Sequence, residues 1–143
     1  MDGLPPLSLG DAPLKGHPPG PRFAYVKERT PPGATAYPVG AMIVKTVEEG
    51  PRETWEVFGM VKRGGNFNRD GAVDWEYFLL RVSPDGVPLI TSRGVRPIDD
   101  PDGGFGGSYA ALAGVVGCNL CHGTRSSAST DHILSPLLAP GAP

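Results

Sequence analysis

The chain has 143 residues, of which 39% are hydrophobic and 20% are charged, as expected for one globular domain with a real core. A net charge of −2 without a basic cluster argues against nucleic-acid binding, and no apolar run is long enough to cross a membrane. Glycine (21 residues) and proline (17 residues) are frequent, which argues against a helix-rich fold.

The elements predicted along the chain are mostly strands. Residues 1–21 are rich in proline and glycine and are predicted to form an arm with little regular structure, followed by one domain over residues 22–143. Alternating and β-branched segments then predict five strands, at residues 22–27, 41–47, 54–62, 74–82 and 87–91. Short turns between them imply an antiparallel meander, so we expect a mainly β (α+β) fold. Short helical segments are predicted at residues 109–113 and 131–134.

Both cysteines of the chain lie in one CxxCH motif, at residues 118–122. With this spacing, Cys118 and Cys121 lie on one helical turn and can form thioethers with the two vinyl groups of a haem. His122 is then placed to bind the iron from the proximal side. The motif predicts one haem c per chain. Haem is attached to such motifs outside the cytoplasm, and residues 1–6 show no signal peptide, so we expect the mature form of a periplasmic or otherwise exported protein.

Three other uses of the two cysteines stay open at the level of sequence. A redox dithiol usually begins a helix in a βαβ setting, and no such alternation is visible. A zinc site could combine the cysteines with His122 and His132, although a ligand directly after a ligating cysteine is awkward. A disulfide between Cys118 and Cys121 is the third alternative.

The sixth position of the iron decides the function of a haem c protein. No methionine follows His122; the candidates for a sixth ligand are Met42 and Met60 in predicted strands, and His17 and His132 in predicted loops. We therefore favour an open sixth position, which suits a small nitrogenous or diatomic ligand better than pure electron transfer.

Three side chains of the predicted strands stand out by their position. Lys45 shares a strand face with apolar residues, where an amine needs a partner unless it extends off the edge of the sheet. Trp75 and Tyr77 are large aromatics on one face of the fourth predicted strand, suited to the core or to packing against haem.

Several segments resemble the cytochrome P-460 family in order and spacing. Residues 37–45 (YPVGAMIVK) resemble its aromatic-Pro-x-Gly segment, which ends in a lysine, and residues 60–62 and 74–78 resemble its next two strands. The late CxxCH matches its haem attachment site. The resemblance implies haem c packed on an antiparallel sheet, and often a homodimer. It aligns Lys45 with a lysine that is bonded covalently to the haem. The short proline-rich arm departs from the family, which has a longer helical part there.

Two branches of that family imply two functions. Cytochrome P-460 itself oxidises hydroxylamine and takes part in nitric oxide chemistry. Such an enzyme needs a distal acid or base that moves protons. The carboxylate candidates for that group are Asp99, Asp100 and Asp102. Cytochrome c′-beta instead binds nitric oxide beneath an apolar cap, for which Tyr37 and Phe67 are candidates.

The sequence thus leaves three functions in competition. The first is an oxidoreductase that acts on hydroxylamine or nitric oxide and passes electrons to a redox partner protein. The second is a protein that binds nitric oxide without turnover, and the third is an electron-transfer cytochrome with a six-coordinate iron.

Overall fold

Six strands form one antiparallel sheet in the computed structural model, which describes residues 5–12, 19–69, 71–94, 118–125 and 128–142. The strands are β1 (Leu7–Gly10), β2 (Arg22–Val26), β3 (Met42–Val47), β4 (Glu56–Lys62), β5 (Trp75–Val82) and β6 (Pro88–Gly94). They lie in the sheet in the same order as in the chain, and each neighbouring pair is antiparallel. The prediction of a mainly β meander with a few short helices is confirmed.

Strand β1 is the element that the sequence did not predict. It lies within the proline-rich arm and pairs with β2, with Leu7 opposite Ala24. Leu7 and Leu9 alternate with exposed residues and pack against the core, so the strand follows the usual period of two. Only four residues carry this pattern, and the surrounding prolines and glycines conceal it in the sequence.

Helix is confined to short elements in the part of the chain that the structure describes. Helix α1 spans Cys118–Arg125, and 3-10 turns span Arg52–Thr54, Ala128–Thr130 and Pro136–Leu138. The predicted helix at 109–113 lies outside the described residues. None of the described helices has the length and apolar character of a transmembrane segment.

The helical turn predicted at residues 131–134 is wrong. Asp131 and His132 have φ angles of 51° and 61°, in the left-handed region, which a right-handed helix cannot contain. The segment turns instead between two 3-10 turns. Its conformation is fixed by tertiary contacts of Asp131, described below, which local sequence does not reveal.

The core lies on one face of the sheet. Across the central strands Ile43 is opposite Met60, and Met60 is opposite Tyr77, and all three are buried. Ile133 and Leu138 from the C-terminal segment pack against this face, as does Cys118 of α1. The domain therefore has a sheet layer and a second, mostly irregular layer formed by α1 and residues 128–142.

Candidate functional site

A cavity of about 530 Å³ lies between the core face of the sheet and the second layer. Its walls come from β1 to β5, α1 and residues 133–138, and they are mostly apolar. Cofactor sites typically have volumes of roughly 300–1,000 Å³ and apolar walls with a few polar groups. The cavity therefore has the size and character of a cofactor site.

Helix α1 contributes both cysteines and the histidine of the CxxCH motif to the cavity wall. Cys121 lies three positions after Cys118 on the helix, so the two side chains lie on the same helical face. Both are half-buried thiols, and no disulfide joins them. His122 lines the same wall. The prediction that the two sulfurs lie on one helical turn is confirmed.

Contacts with the loop that precedes β5 fix the position of α1. The Asn119 side-chain oxygen accepts hydrogen bonds from the Ala72 backbone nitrogen at 3.0 Å and from Asn68 Nδ2 at 2.6 Å. One turn later, Gly123 packs directly on the loop backbone, where an added Cβ would lie 2.9 Å from the Gly71 carbonyl carbon. Only a glycine permits this approach, so the helix and the two thiols are held against the sheet.

The His122 imidazole is oriented by the C-terminal segment. Its Nδ1 lies 2.8 Å from the His132 carbonyl oxygen, so Nδ1 carries the proton and donates, which leaves Nε2 as the basic nitrogen. Burial lowers the pKa of His122 to about 4, and the hydrogen bond to His132 only partly opposes this effect. The imidazole is therefore neutral at pH 7, in the form that binds a metal.

A buried ion pair holds the segment that orients His122. Lys62 of β4 pairs with the Asp131 carboxylate, and both side chains are less than a tenth exposed. Asp131 also accepts a hydrogen bond from the Tyr37 backbone nitrogen at 2.8 Å, and its carbonyl accepts one from Trp75 Nε1 at 2.9 Å. We call Lys62, Asp131, Tyr37 and Trp75 the anchoring cluster. It places the His132 carbonyl, the next residue along, beside His122.

Lys45 lines the cavity from β3, on the strand face that alternation assigns to it together with Ile43. Its Nζ lies 4.8 Å from the centre of the Phe58 ring. Burial lowers the pKa of Lys45 to about 8. The positive charge of Arg22 adds to that shift. The structure thus brings Lys45 to the same cavity as the CxxCH residues.

One charged and one aromatic residue of the cavity wall are not among the site residues predicted from the sequence. Arg22 of β2 is 3% exposed, and Phe58 of β4 is also buried. Strand pairing places both beside Lys45. Phe58 is directly opposite Lys45 on β4, and Ala24 is opposite it on β2, two residues after Arg22. The signal for Arg22 was present: strand alternation places it on the face of Ala24 and Val26. We call Arg22 and Lys45 the cationic wall.

The remaining predicted site residues are divided between cavity and core. Tyr77 lines the cavity, and its ring centre lies 5.3 Å from that of His122. Its buried hydroxyl has no hydrogen-bond partner among the described residues, and burial raises its pKa well above the usual value. Trp75 and Tyr37 are core residues of the anchoring cluster, with rings 5.9 Å apart, and neither is among the residues described as lining the cavity.

Other predicted residues lie away from the cavity or outside the described part of the chain. Phe67 is 37% exposed in the loop before β5 and does not belong to the described cavity wall. Among the residues proposed as distal carboxylates or as a sixth ligand, four lie outside the described residues: Asp99, Asp100, Asp102 and His17.

The chain matches no family model, no curated protein and no solved structure. The resemblance to cytochrome P-460 therefore stays a prediction. The functional interpretation therefore rests on the geometry of the cavity.

Two alternatives for the cysteines can be compared with that geometry. Within residues 5–12, 19–69, 71–94, 118–125 and 128–142, no three His, Cys, Asp or Glu side chains converge as a metal-ion site, so a Cys2His2 zinc centre is not assembled there. A haem iron needs only one protein ligand on its proximal side, so this finding does not bear on it. The described sheet is antiparallel throughout, without the βαβ unit typical of a redox dithiol.

Proposed function

We propose that this protein is an exported c-type cytochrome of the cytochrome P-460 type, with one haem, that acts on hydroxylamine or nitric oxide. One observation carries the proposal: Cys118, Cys121, His122 and Lys45 all line a single apolar cavity. Lys45 is 73 residues away from Cys118 in the chain, so the CxxCH motif alone does not explain its presence there. The family resemblance pairs these same residues around one haem.

The residues of the cavity fit a covalently attached haem. Cys118 and Cys121 would hold it through thioethers, and His122 would bind the iron through Nε2, since Nδ1 is engaged with the His132 carbonyl. The apolar walls match a hydrophobic macrocycle. When bound, haem supplies a redox-active iron that can bind a nitrogenous ligand and exchange electrons with a partner protein.

The side chains of the protein have defined tasks in this proposal. The anchoring cluster keeps the His122 ring in one orientation and one tautomer, which sets its strength as a ligand. The apolar walls exclude water and so strengthen electrostatic interactions inside the cavity. A lysine with a pKa near 8 is partly neutral at physiological pH, and a neutral amine is the nucleophilic form. Lys45 can thus lie against an apolar macrocycle in its neutral form, and the family resemblance aligns it with the lysine that is bonded to the haem.

Phe58 favours a second candidate function, the binding of nitric oxide without turnover. Its ring lines the cavity beside Lys45 and gives that wall an apolar surface like the cap of cytochrome c′-beta. Of the candidates for a sixth ligand in an electron carrier, Met60 lines the cavity, whereas Met42 and His132 are described but are not among the lining residues. A redox partner protein and a homodimer stay predictions.

An optical spectrum of protein made in a host that matures haem c tests the proposal. Haem that survives denaturation, and a high-spin ferric spectrum, are expected. A ferrous Soret band shifted far to the red would indicate a bond between Lys45 and the macrocycle. An ordinary high-spin ferrous spectrum would favour nitric oxide binding, and sharp low-spin bands that Met60→Leu abolishes would favour electron transfer. Protein without covalent haem would refute the proposal.

A substitution at Lys45 separates the enzyme from the gas-binding protein. Lys45→Leu is expected to return a red-shifted spectrum to that of ordinary haem c and to abolish hydroxylamine oxidation. Lys27→Leu is the matched control, because Lys27 is an exposed lysine just after β2. A spectrum that Lys45→Leu leaves unchanged would contradict the covalent bond.

A further inference from the structure

Arg22 is a buried cation whose charge is not balanced by the described protein. Arg22 is only 3% exposed, and it lines the cavity from β2. Its Nη2 donates to the Ala12 carbonyl, whereas its Nη1 is buried and has no hydrogen-bond partner among the described residues. No ion pair links Arg22 to a described carboxylate. A buried guanidinium in this state is costly, because its desolvation is not compensated.

The surroundings of Arg22 increase that cost. Lys45 lies on the same sheet face, and the two positive charges are close enough that Arg22 helps to lower the pKa of Lys45. The carboxylate whose charge reaches Lys45 is that of Glu56, which is itself half-buried, and burial raises its pKa. Arg22 therefore has a second cation near it and no ion pair with a described carboxylate.

We propose that Arg22 binds an oxyanion of the carboxylate type inside the cavity. A guanidinium offers planar, paired donors that match the two oxygens of such an anion. Arg22 lines the cavity, its buried Nη1 has hydrogens that no described group accepts, and the Nη2 contact to Ala12 holds the guanidinium plane in position. The anion completes the hydrogen bonding of Arg22 and offsets the charge of its guanidinium.

Two sources can supply this oxyanion. The first is a propionate of the cofactor itself, a version that rests on the proposed function. The second is a small free anion such as nitrite or formate. In both cases the chemistry at Arg22 is the same, and the difference lies in whether the anion is part of the cofactor.

Substitutions at Arg22 distinguish the two sources. Arg22→Gln removes the charge, Arg22→Lys keeps the charge but loses the planar donor pair, and Arg81→Gln is the control at an exposed arginine of β5. The midpoint reduction potential and the affinity for nitrite are measured on each haem-loaded protein. A propionate at Arg22 predicts that Arg22→Gln lowers the midpoint potential, because the loss of a positive charge favours ferric iron, while nitrite affinity stays unchanged.

A free anion at Arg22 predicts the opposite combination. Nitrite affinity would fall about tenfold or more in Arg22→Gln, as expected for the loss of a charge-assisted hydrogen bond, and the potential would hardly change. If Arg22→Gln does not fold, Arg22→Lys is measured in its place. A free anion at Arg22 predicts that Arg22→Lys weakens nitrite binding several-fold, and a propionate predicts that it lowers the midpoint potential by less than Arg22→Gln would. If both Arg22 variants match Arg81→Gln in potential and in nitrite affinity, the inference is overturned.

Haem content of the wild-type protein is measured separately and reports on the proposed function alone. If the purified protein carries no haem, thermal unfolding with and without formate tests Arg22 directly. Formate that raises the unfolding temperature of the wild type but not of Arg22→Gln supports the anion site. Equal behaviour of the two proteins overturns it.

Discussion

The anchoring cluster and the cationic wall each contain a buried lysine, but the two amines have different surroundings. Lys62 is paired with Asp131, which also accepts hydrogen bonds from the Tyr37 backbone nitrogen and the Trp75 indole. Lys45 faces the cavity beside Arg22 and a phenylalanine ring, and burial lowers its pKa. The first lysine is part of the internal structure that positions His122. The second belongs to a surface prepared for something that enters the cavity.

This difference separates residues that support a site from residues that act in it. A buried charge that is paired with an opposite charge inside the protein stabilises one conformation, whereas a charge that faces a cavity and is disfavoured by burial lowers stability unless a ligand binds. Removal of a polar group should therefore be costly in the anchoring cluster and cheap, or favourable, in the cavity wall. Three measurements can break or sharpen this contrast.

The largest effect is expected when Asp131 is removed. Asp131→Ala removes the close partner of buried Lys62 and leaves it only the longer contact with Asp74, whose Oδ2 lies 3.9 Å from Nζ, so the free energy of unfolding should fall by about 3–5 kcal/mol. Urea unfolding followed by circular dichroism measures it. The control Asp85→Ala, in an exposed turn, should change stability by less than about 0.5 kcal/mol. The double variant Lys62→Met with Asp131→Leu should lose much less than Asp131→Ala; an equal loss would contradict the ion-pair explanation.

A smaller effect, of opposite sign, is expected at Lys45 in the haem-free protein. Its pKa is about 8 in the folded state and 10.5 when unperturbed, so the unfolded chain binds the proton more tightly. The charged amine thus destabilises the fold in full below about pH 8, and this penalty disappears as the pH rises from 8 to 10.5. Lys45→Met should be more stable than wild type by about 3 kcal/mol at pH 7, with little difference above pH 10.5.

Urea unfolding at pH 7, 8, 9 and 10 measures that trend. Lys27→Met serves as the control, because Lys27 is exposed and should show no comparable dependence on pH. A constant difference between Lys45→Met and wild type across this range would show that the amine is not a buried titrating group.

The smallest effect is expected from a comparison of two tyrosine hydroxyls. The Tyr37 hydroxyl donates to the Leu138 carbonyl at 2.9 Å, whereas the Tyr77 hydroxyl has no partner among the described residues. Tyr37→Phe should therefore lower the free energy of unfolding by about 1 kcal/mol, and Tyr77→Phe should change it by less than about 0.5 kcal/mol. Thermal unfolding of the two variants measures the difference. A larger loss for Tyr77→Phe would reverse the assignment of the two residues.

The sheet was predictable because its signals are local. Five strands of the meander follow from alternation within each segment, and the same alternation placed Lys45 on an apolar face. The CxxCH spacing likewise predicted that both sulfurs lie on one helical turn.

The anchoring cluster was not predictable, because its contacts join distant parts of the chain. Lys62 and Asp131 are 69 residues apart, and Asp131 has a left-handed backbone, with a φ of 51°. Tyr37 and Phe67 were selected as cap candidates from residue type, and only the register of β3 with β4 indicates that Phe58 stands beside Lys45 instead.

The sequential order of the strands has a consequence for how the protein is assembled. Each strand pairs with the next one along the chain, so every pairing of the sheet joins neighbouring segments and none has to wait for a distant one. The CxxCH helix and residues 128–142 come last and close the cavity from the other side. The sheet can therefore form while the cavity is still open, and docking of the C-terminal segment is the step that encloses whatever the cavity contains.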